Sequence, residues 1–170
     1  MDTIIDKTIR ANETYAQNFK LGELAIPPAR KLAIIACMDA RLTVEQFLGL
    51  KTGDAHIIRN AGGIVTEDAL RSLIISHHLL GTQEFMIVNH TDCGMLTFKD
   101  EALREKLQQE THTDTVAPTA FHSFAELEVN VRQQIQKIKC HPWIPKHIPV
   151  RGFIYDVKTG RLKEVTTPVS

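Results

Sequence analysis

The sequence is short of cysteine, of unbalanced charge and of long apolar runs. Its three cysteines, Cys37, Cys93 and Cys140, are odd in number and widely spaced, which argues against a secreted disulfide framework. No Cys-x-x-Cys occurs, so a thioredoxin-like redox couple has no basis here. Twenty basic residues balance 20 acidic ones, and a formal net charge of zero gives no electrostatic footing for nucleic acid or an anionic membrane. No apolar stretch approaches the roughly 20 residues of a membrane-spanning helix. The start, Met1-Asp2-Thr3-Ile4-Ile5-Asp6-Lys7, carries acids where a secretory signal would be basic. There is no repeat and no low-complexity tract. The expectation is a reduced, cytoplasmic protein. Its 170 residues suffice for a single domain, 1–170, with a real core.

What is present alternates between two periods. Residues 2–19 have helical spacing, with Ile4, Thr8, Ala11 and Tyr15 on one face beside Ile5, Ile9 and Phe19. A lone helix of this size is marginal in water, so it must pack on its own domain or on a partner. Residues 20–30, with Gly22 and Pro27-Pro28, form its tether, making 1–25 an N-terminal helical arm. Strands are expected at 31–36, 55–59 and 84–89, the first and third buried by their continuous apolar character. Thr43-Val44-Glu45-Gln46 has the form of a capping box, so a short helix is expected from Val44 to Gly49, and a longer one from Thr66 to a Gly81 cap. Further helices are expected over 100–109 and behind the Ser123-Phe124-Ala125-Glu126 capping box, with a surface loop over 110–120 between them. A hairpin of 150–157 with 161–165 closes the chain. Strand–helix alternation predicts an α/β fold: a mostly parallel sheet flanked by helices, with a C-terminal antiparallel hairpin.

The chemistry gathers at two strand ends. One is Cys37-Met38-Asp39-Ala40-Arg41; the other is His90-Thr91-Asp92-Cys93-Gly94-Met95. Sites in open parallel sheets form at the carboxyl ends of strands. Two thiolates and an imidazole there, with a carboxylate beside them, make a zinc-type ligand set of Cys37, His90, Cys93 and Asp39. The fourth position is open at this stage. Asp39 on the metal closes the site; water there gives hydroxide near neutral pH. Arg41, two residues on, can draw Asp39 away as a charge-assisted pair. The Gly94 N–H, and the Ala61-Gly62-Gly63 loop ahead of a helix, suit a polar or anionic substrate. His56, His77, His78, Cys140 and His141 lack partners at ligand spacing and read as structural or solvent-facing.

With Arg59-Asn60-Ala61-Gly62-Gly63 added, these motifs, in this order and spacing, resemble the β-class carbonic anhydrases. The compact prokaryotic branch is the nearest in kind, and the likeness runs from about residue 30 to the final hairpin. The resemblance implies Zn(2+) held by Cys37, His90 and Cys93, an Asp39–Arg41 dyad, and reversible hydration of carbon dioxide to bicarbonate by zinc-bound hydroxide. It implies an N-terminal helix that crosses to a neighbouring subunit of a homodimer or higher homo-oligomer. Where plant-type members carry a substrate-binding glutamine, the nearby position here is Pro28. Two alternatives stand beside it. Relatives in the same branch hydrolyse carbon disulfide or carbonyl sulfide at the same site, and a non-enzymatic zinc protein would keep Asp39 locked on the metal.

Overall fold

A computed structural model describes residues 1–114, 116–118 and 120–166. Thr115 and Thr119, in the expected loop 110–120, and residues 167–170 lie outside it. The elements run α1 (Ile4–Gln17), β1 (Leu32–Cys37), α2 (Val44–Phe47), β2 (Ala55–Asn60), α3 (Glu67–Leu80), β3 (Glu84–His90), α4 (Asp100–Thr111), α5 (Leu127–Cys140), β4 (Val150–Tyr155) and β5 (Leu162–Glu164). The sheet order is β2-β1-β3-β4-β5. The first three pairings are parallel and β4–β5 is antiparallel. This is the expected α/β architecture, hairpin included.

β1 is buried on both faces because both faces are covered, which explains its unbroken apolar run. Ala33, Ile35, Phe85 and Ile87 face Leu73 of α3 and Val131, Ile135 and Ile138 of α5. Ile34, Ala36 and Val88 face Leu42, Val44, Cys93 and Met95. Helix α5 lies so close to β4 that a Cβ on Gly152 would sit 2.3 Å from Val131 Cγ1.

Three local readings are corrected. The Ser123 capping box does not start α5. The helix begins at Leu127 with Glu126 as a cap that makes no side-chain bond. The reason lies upstream: the Asp100 carboxylate accepts from the N–H groups of Phe121, His122 and Ser123 at 2.7, 3.0 and 2.9 Å. Those donors are committed, and the segment runs non-helical up to Glu126. Thr43 is the cap position of α2 but makes no side-chain cap bond. The capping box that does form is Thr3 with Asp6, opening α1 two residues later than expected.

Helix α1 buries none of its residues. Ile4, Ile5 and Ile9 are 73%, 69% and 56% exposed, and Tyr15 and Phe19 are open to solvent as well. The arm therefore does not fold its apolar face onto its own chain.

Candidate metal centre

Parallel pairing puts the two motifs side by side. Cys37 ends β1 in register with Asn60 at the end of β2, and His90 ends β3 on the other flank of β1. Thr91 and Asp92 then turn the chain. Asp92 has φ +56°, in the left-handed region that non-glycine residues adopt only in tight turns. The turn brings Cys93 back beside Cys37. The ligand atoms of Cys37, His90 and Cys93 all lie within 4.8 Å of one another, and all three residues are buried.

His90 is aimed by its other nitrogen. Nδ1–H donates to the Thr91 carbonyl at 2.8 Å, so the Nε2 lone pair points into the cluster. Among the described residues, His90 Nε2 is the single buried side-chain nitrogen or oxygen with no hydrogen-bond partner. An orphaned buried acceptor costs free energy unless something fills the position. Two thiols and this imidazole are the donor set that zinc prefers, so the residues fit the ion.

The charges of the cluster agree. The Cys93 thiol donates to Cys37; against burial, with help from His90 and the Asp39 and Gly62 N–H groups, it brings Cys37 down to about 4. Cys93, donating to that thiolate and buried, is pushed up. Burial lowers His90, but the Cys37 thiolate, the Thr91 carbonyl and Asp39 together hold it above its ordinary value. The proton held by Cys93 is the one a dication would displace.

Asp39 is on Arg41. Arg41 Nε donates to Asp39 Oδ1 at 2.9 Å and Nη2 to Oδ2 at 2.8 Å, a bidentate fork, and the Arg41 backbone N–H adds a third bond at 2.9 Å. The guanidinium holds the Asp39 carboxyl well below the usual carboxylate range. Oδ2 remains 3.7 Å from His90 Nε2, beside the cluster. Gly94, next to Cys93, is exposed, and no atom lies within 4 Å of where a Cβ would project. Gly62 and Gly63 are buried instead, in their own 3₁₀ turn four residues before α3. A Cβ on Gly63 would sit 2.9 Å from Asn89 Nδ2 and 3.0 Å from Cys37 N.

Two roles escaped the sequence reading, those of Asp92 and Arg59. Arg41 is shared: Nη1 donates to Asp92 Oδ2 at 2.9 Å and Nη2 to the Asp92 carbonyl at 3.0 Å, tying the two motif loops together. Arg59 donates to the Cys37 carbonyl at 3.0 Å and the Asp39 carbonyl at 2.7 Å. Both lie inside the motifs, where an acid or a base near opposite charges was the available signal. The histidines outside the centre make local bonds: His56 to Ser76, His77 to the Thr82 carbonyl and His78 to the Trp143 carbonyl. Cys140 is exposed, with Gln136 donating to its sulfur.

Residues 32–162 match the family described as carbonic anhydrase. The chain belongs to the β-carbonic anhydrase family. β-carbonic anhydrase 1 of Mycobacterium tuberculosis is 48% identical over 165 residues, covering 96% of this chain and 99% of that one. A carbonic anhydrase structure from Streptococcus mutans superposes with a TM-score of 0.91 at 43% identity, covering 98% of this chain and 99% of that chain. The same β-carbonic anhydrase family reaches further: a carbon disulfide hydrolase of Acidithiobacillus thiooxidans is 36% identical over 159 residues, covering 83% of this chain and 80% of that protein.

Proposed function

We propose that the chain is a zinc-dependent lyase catalysing reversible hydration of carbon dioxide to bicarbonate and a proton. The observation that carries this reading is the convergence of Cys37, His90 and Cys93, with the His90 Nε2 lone pair otherwise unmet and an Arg41-held carboxylate beside it. Cys37, His90 and Cys93 hold the ion. Zinc, when bound, supplies the Lewis acidity that makes water a nucleophile near neutral pH. Asp39 is held by Arg41 in a bidentate fork as an ionised, acceptor-only group, which would keep it from serving as a fourth ligand. It takes a hydrogen bond from the nucleophile and so turns a lone pair toward the substrate carbon. Gly94, exposed next to Cys93, is assigned a substrate oxygen at its N–H, and the Gly62–Gly63 turn backs the ligand side of the site.

A second reading is hydrolysis of carbon disulfide or carbonyl sulfide. The carbon disulfide hydrolases among the relatives favour it, but at lower identity than the β-carbonic anhydrases. An inert zinc protein with Asp39 on the metal fits worse, because the carboxylate here is engaged by Arg41 in a bidentate fork.

The same reading includes a homodimer or higher homo-oligomer of one domain, in a cytoplasm that keeps the thiols reduced. The uncovered apolar face of α1 supports the first part. So does a groove of about 770 Å³ lined by Leu70, Ile74, Ile75 and Trp143, which does not touch the metal-ligand cluster. No helix among the described residues is long and apolar enough to cross a membrane.

The test is metal analysis of the purified chain joined to a stopped-flow hydration assay from about pH 7 to 9, with sulfide release from carbon disulfide measured in parallel. One zinc per chain and hydration faster than sulfide release is the expected result. Bound zinc with no hydration at any pH would defeat it.

A further inference from the structure

Behind the metal centre lies a chain of side-chain amides. Asn89 sits on β3 next to His90; Asn130 and Gln134 are one turn apart on α5. They are 1%, 3% and 2% exposed, among the few polar side chains inside the molecule. The bonds run in one direction. The Val65 N–H donates to Gln134 Oε1 at 2.9 Å. Gln134 Nε2 donates to Asn130 Oδ1 at 2.8 Å. Asn130 Nδ2 donates to Asn89 Oδ1 at 2.7 Å. Asn89 Nδ2 donates to the Gly62 carbonyl at 2.9 Å.

Both ends of that chain belong to one short segment, Gly62 to Val65. Three side chains from two other elements close a ring across it. A second clip lies inside the first: Asn60 Nδ2 donates to the Ile64 carbonyl and Asn60 Oδ1 accepts from the Ile64 N–H, each at 2.8 Å. The segment so fixed is the one whose Gly63 backbone packs on Cys37 N. Burying three amides costs several kcal/mol unless each is satisfied. An apolar core would stabilise the fold at least as well, so stability alone gives little reason for a polar chain here.

Resting on the zinc reading above, we propose that Asn89, Asn130 and Gln134 are positioning residues for the Cys37 ligand. Their one-way amide chain fixes the Gly62–Val65 turn against Cys37, so that the ligand is held in place before metal arrives. Gln134 touches none of the ligands, so it acts on the centre only through the chain. Outer partners of metal ligands change metal affinity or activity by roughly 10- to 100-fold when removed.

The experiment compares Gln134→Met and Asn130→Leu with Leu73→Ala, a core control that makes none of the chain's hydrogen bonds. Zinc release to a chromophoric chelator, the sulfur-to-metal absorption band of the cobalt-substituted protein, and the melting temperature are read together. The expected result is zinc release about tenfold faster and a shifted cobalt band in both amide variants, with neither change in Leu73→Ala at a similar loss of melting temperature. Release and spectrum like those of the control overturn the inference and leave the zinc reading intact. A wild-type chain that binds no zinc overturns both. Should the amide variants fail to fold, the wild-type chain still decides. Its Asn130 and Gln134 side-chain amide NMR signals shift on zinc addition if the chain reports on Cys37. Signals that stay put overturn it.

Discussion

Arg41 holds two carboxylates, and they differ in what they can do. Asp39 is four-fifths buried and 3.7 Å from His90 Nε2, whereas Asp92 is 71% exposed and faces solvent. An exposed ion pair is worth about 0–1 kcal/mol, so Asp92→Ala is expected to lower hydration less than tenfold. Asp39→Ala removes the acceptor itself. It should leave zinc bound and lower kcat/KM by about 10²-fold or more, measured by stopped-flow hydration with metal content in parallel. Full activity in that variant would remove the dyad from the reaction. At this scale much was legible in the sequence. Cys37, Asp39, Arg41, His90 and Cys93 announce themselves because each sits within a few residues of a strand end, where direction follows from alternation. Asn130 and Gln134 do not. They are four apart beside the apolar stripe of Val131, Ile135 and Ile138, and read as its polar rim; only the packing of α5 on β3 and β4 buries them.

Two elements are set by single residues. Gly152 lets α5 settle on β4, and a Cβ there would meet Val131 and Ile135 at 2.3 and 2.8 Å. Gly152→Ala is therefore expected to destabilise by about 1–3 kcal/mol in urea unfolding, even though alanine suits a strand at least as well as glycine. Asp100 does the corresponding work for the segment before α5. Burial raises its carboxyl, but the Ser123 side chain and the N–H groups of residues 121–123 outweigh it and bring it to about 2. A depressed carboxyl stabilises fully above its unfolded value of about 3.9 and ceases to as pH falls through about 2. Melting temperatures measured from pH 5 to pH 2 should fall through that window in the wild type and show a shallower slope in Asp100→Asn. An unchanged slope would mean that the clamp contributes nothing to the fold. The same clamp explains why the Ser123-x-x-Glu126 signature misleads. Its local chemistry is right for a helix start, but a carboxylate more than twenty residues earlier has taken the donors. Strand positions, by contrast, were legible to within a residue or two; in β1 and β3 burial leaves an apolar run that local chemistry does not imitate.

At the scale of the whole molecule, α1 carries a helical apolar stripe that its own chain leaves exposed, and the proposal is that a second copy covers it. Replacing Ile5 and Ile9 by Asp is expected to shift the mass seen in analytical ultracentrifugation toward the monomer. It should leave the fold of residues 32–166 intact by circular dichroism. An unchanged mass would assign the association to another face. The mostly parallel sheet and the hairpin were legible from the strand–helix alternation; the strand order came only from the pairing. The arm's destination was not, because a helix with one apolar face says that it packs but not on which copy.

The three ligands enter from opposite ends of a long stretch of chain, one at the end of β1, one at the end of β3 and one just past the turn that follows it. An ion seated among them is therefore a removable cross-link between distant parts of the sequence. Stripping it with a strong chelator should lower the midpoint of thermal unfolding, and restoring it should raise that midpoint in step with free metal concentration. Scarcity of the ion would then shorten the persistence of the polypeptide as well as its turnover.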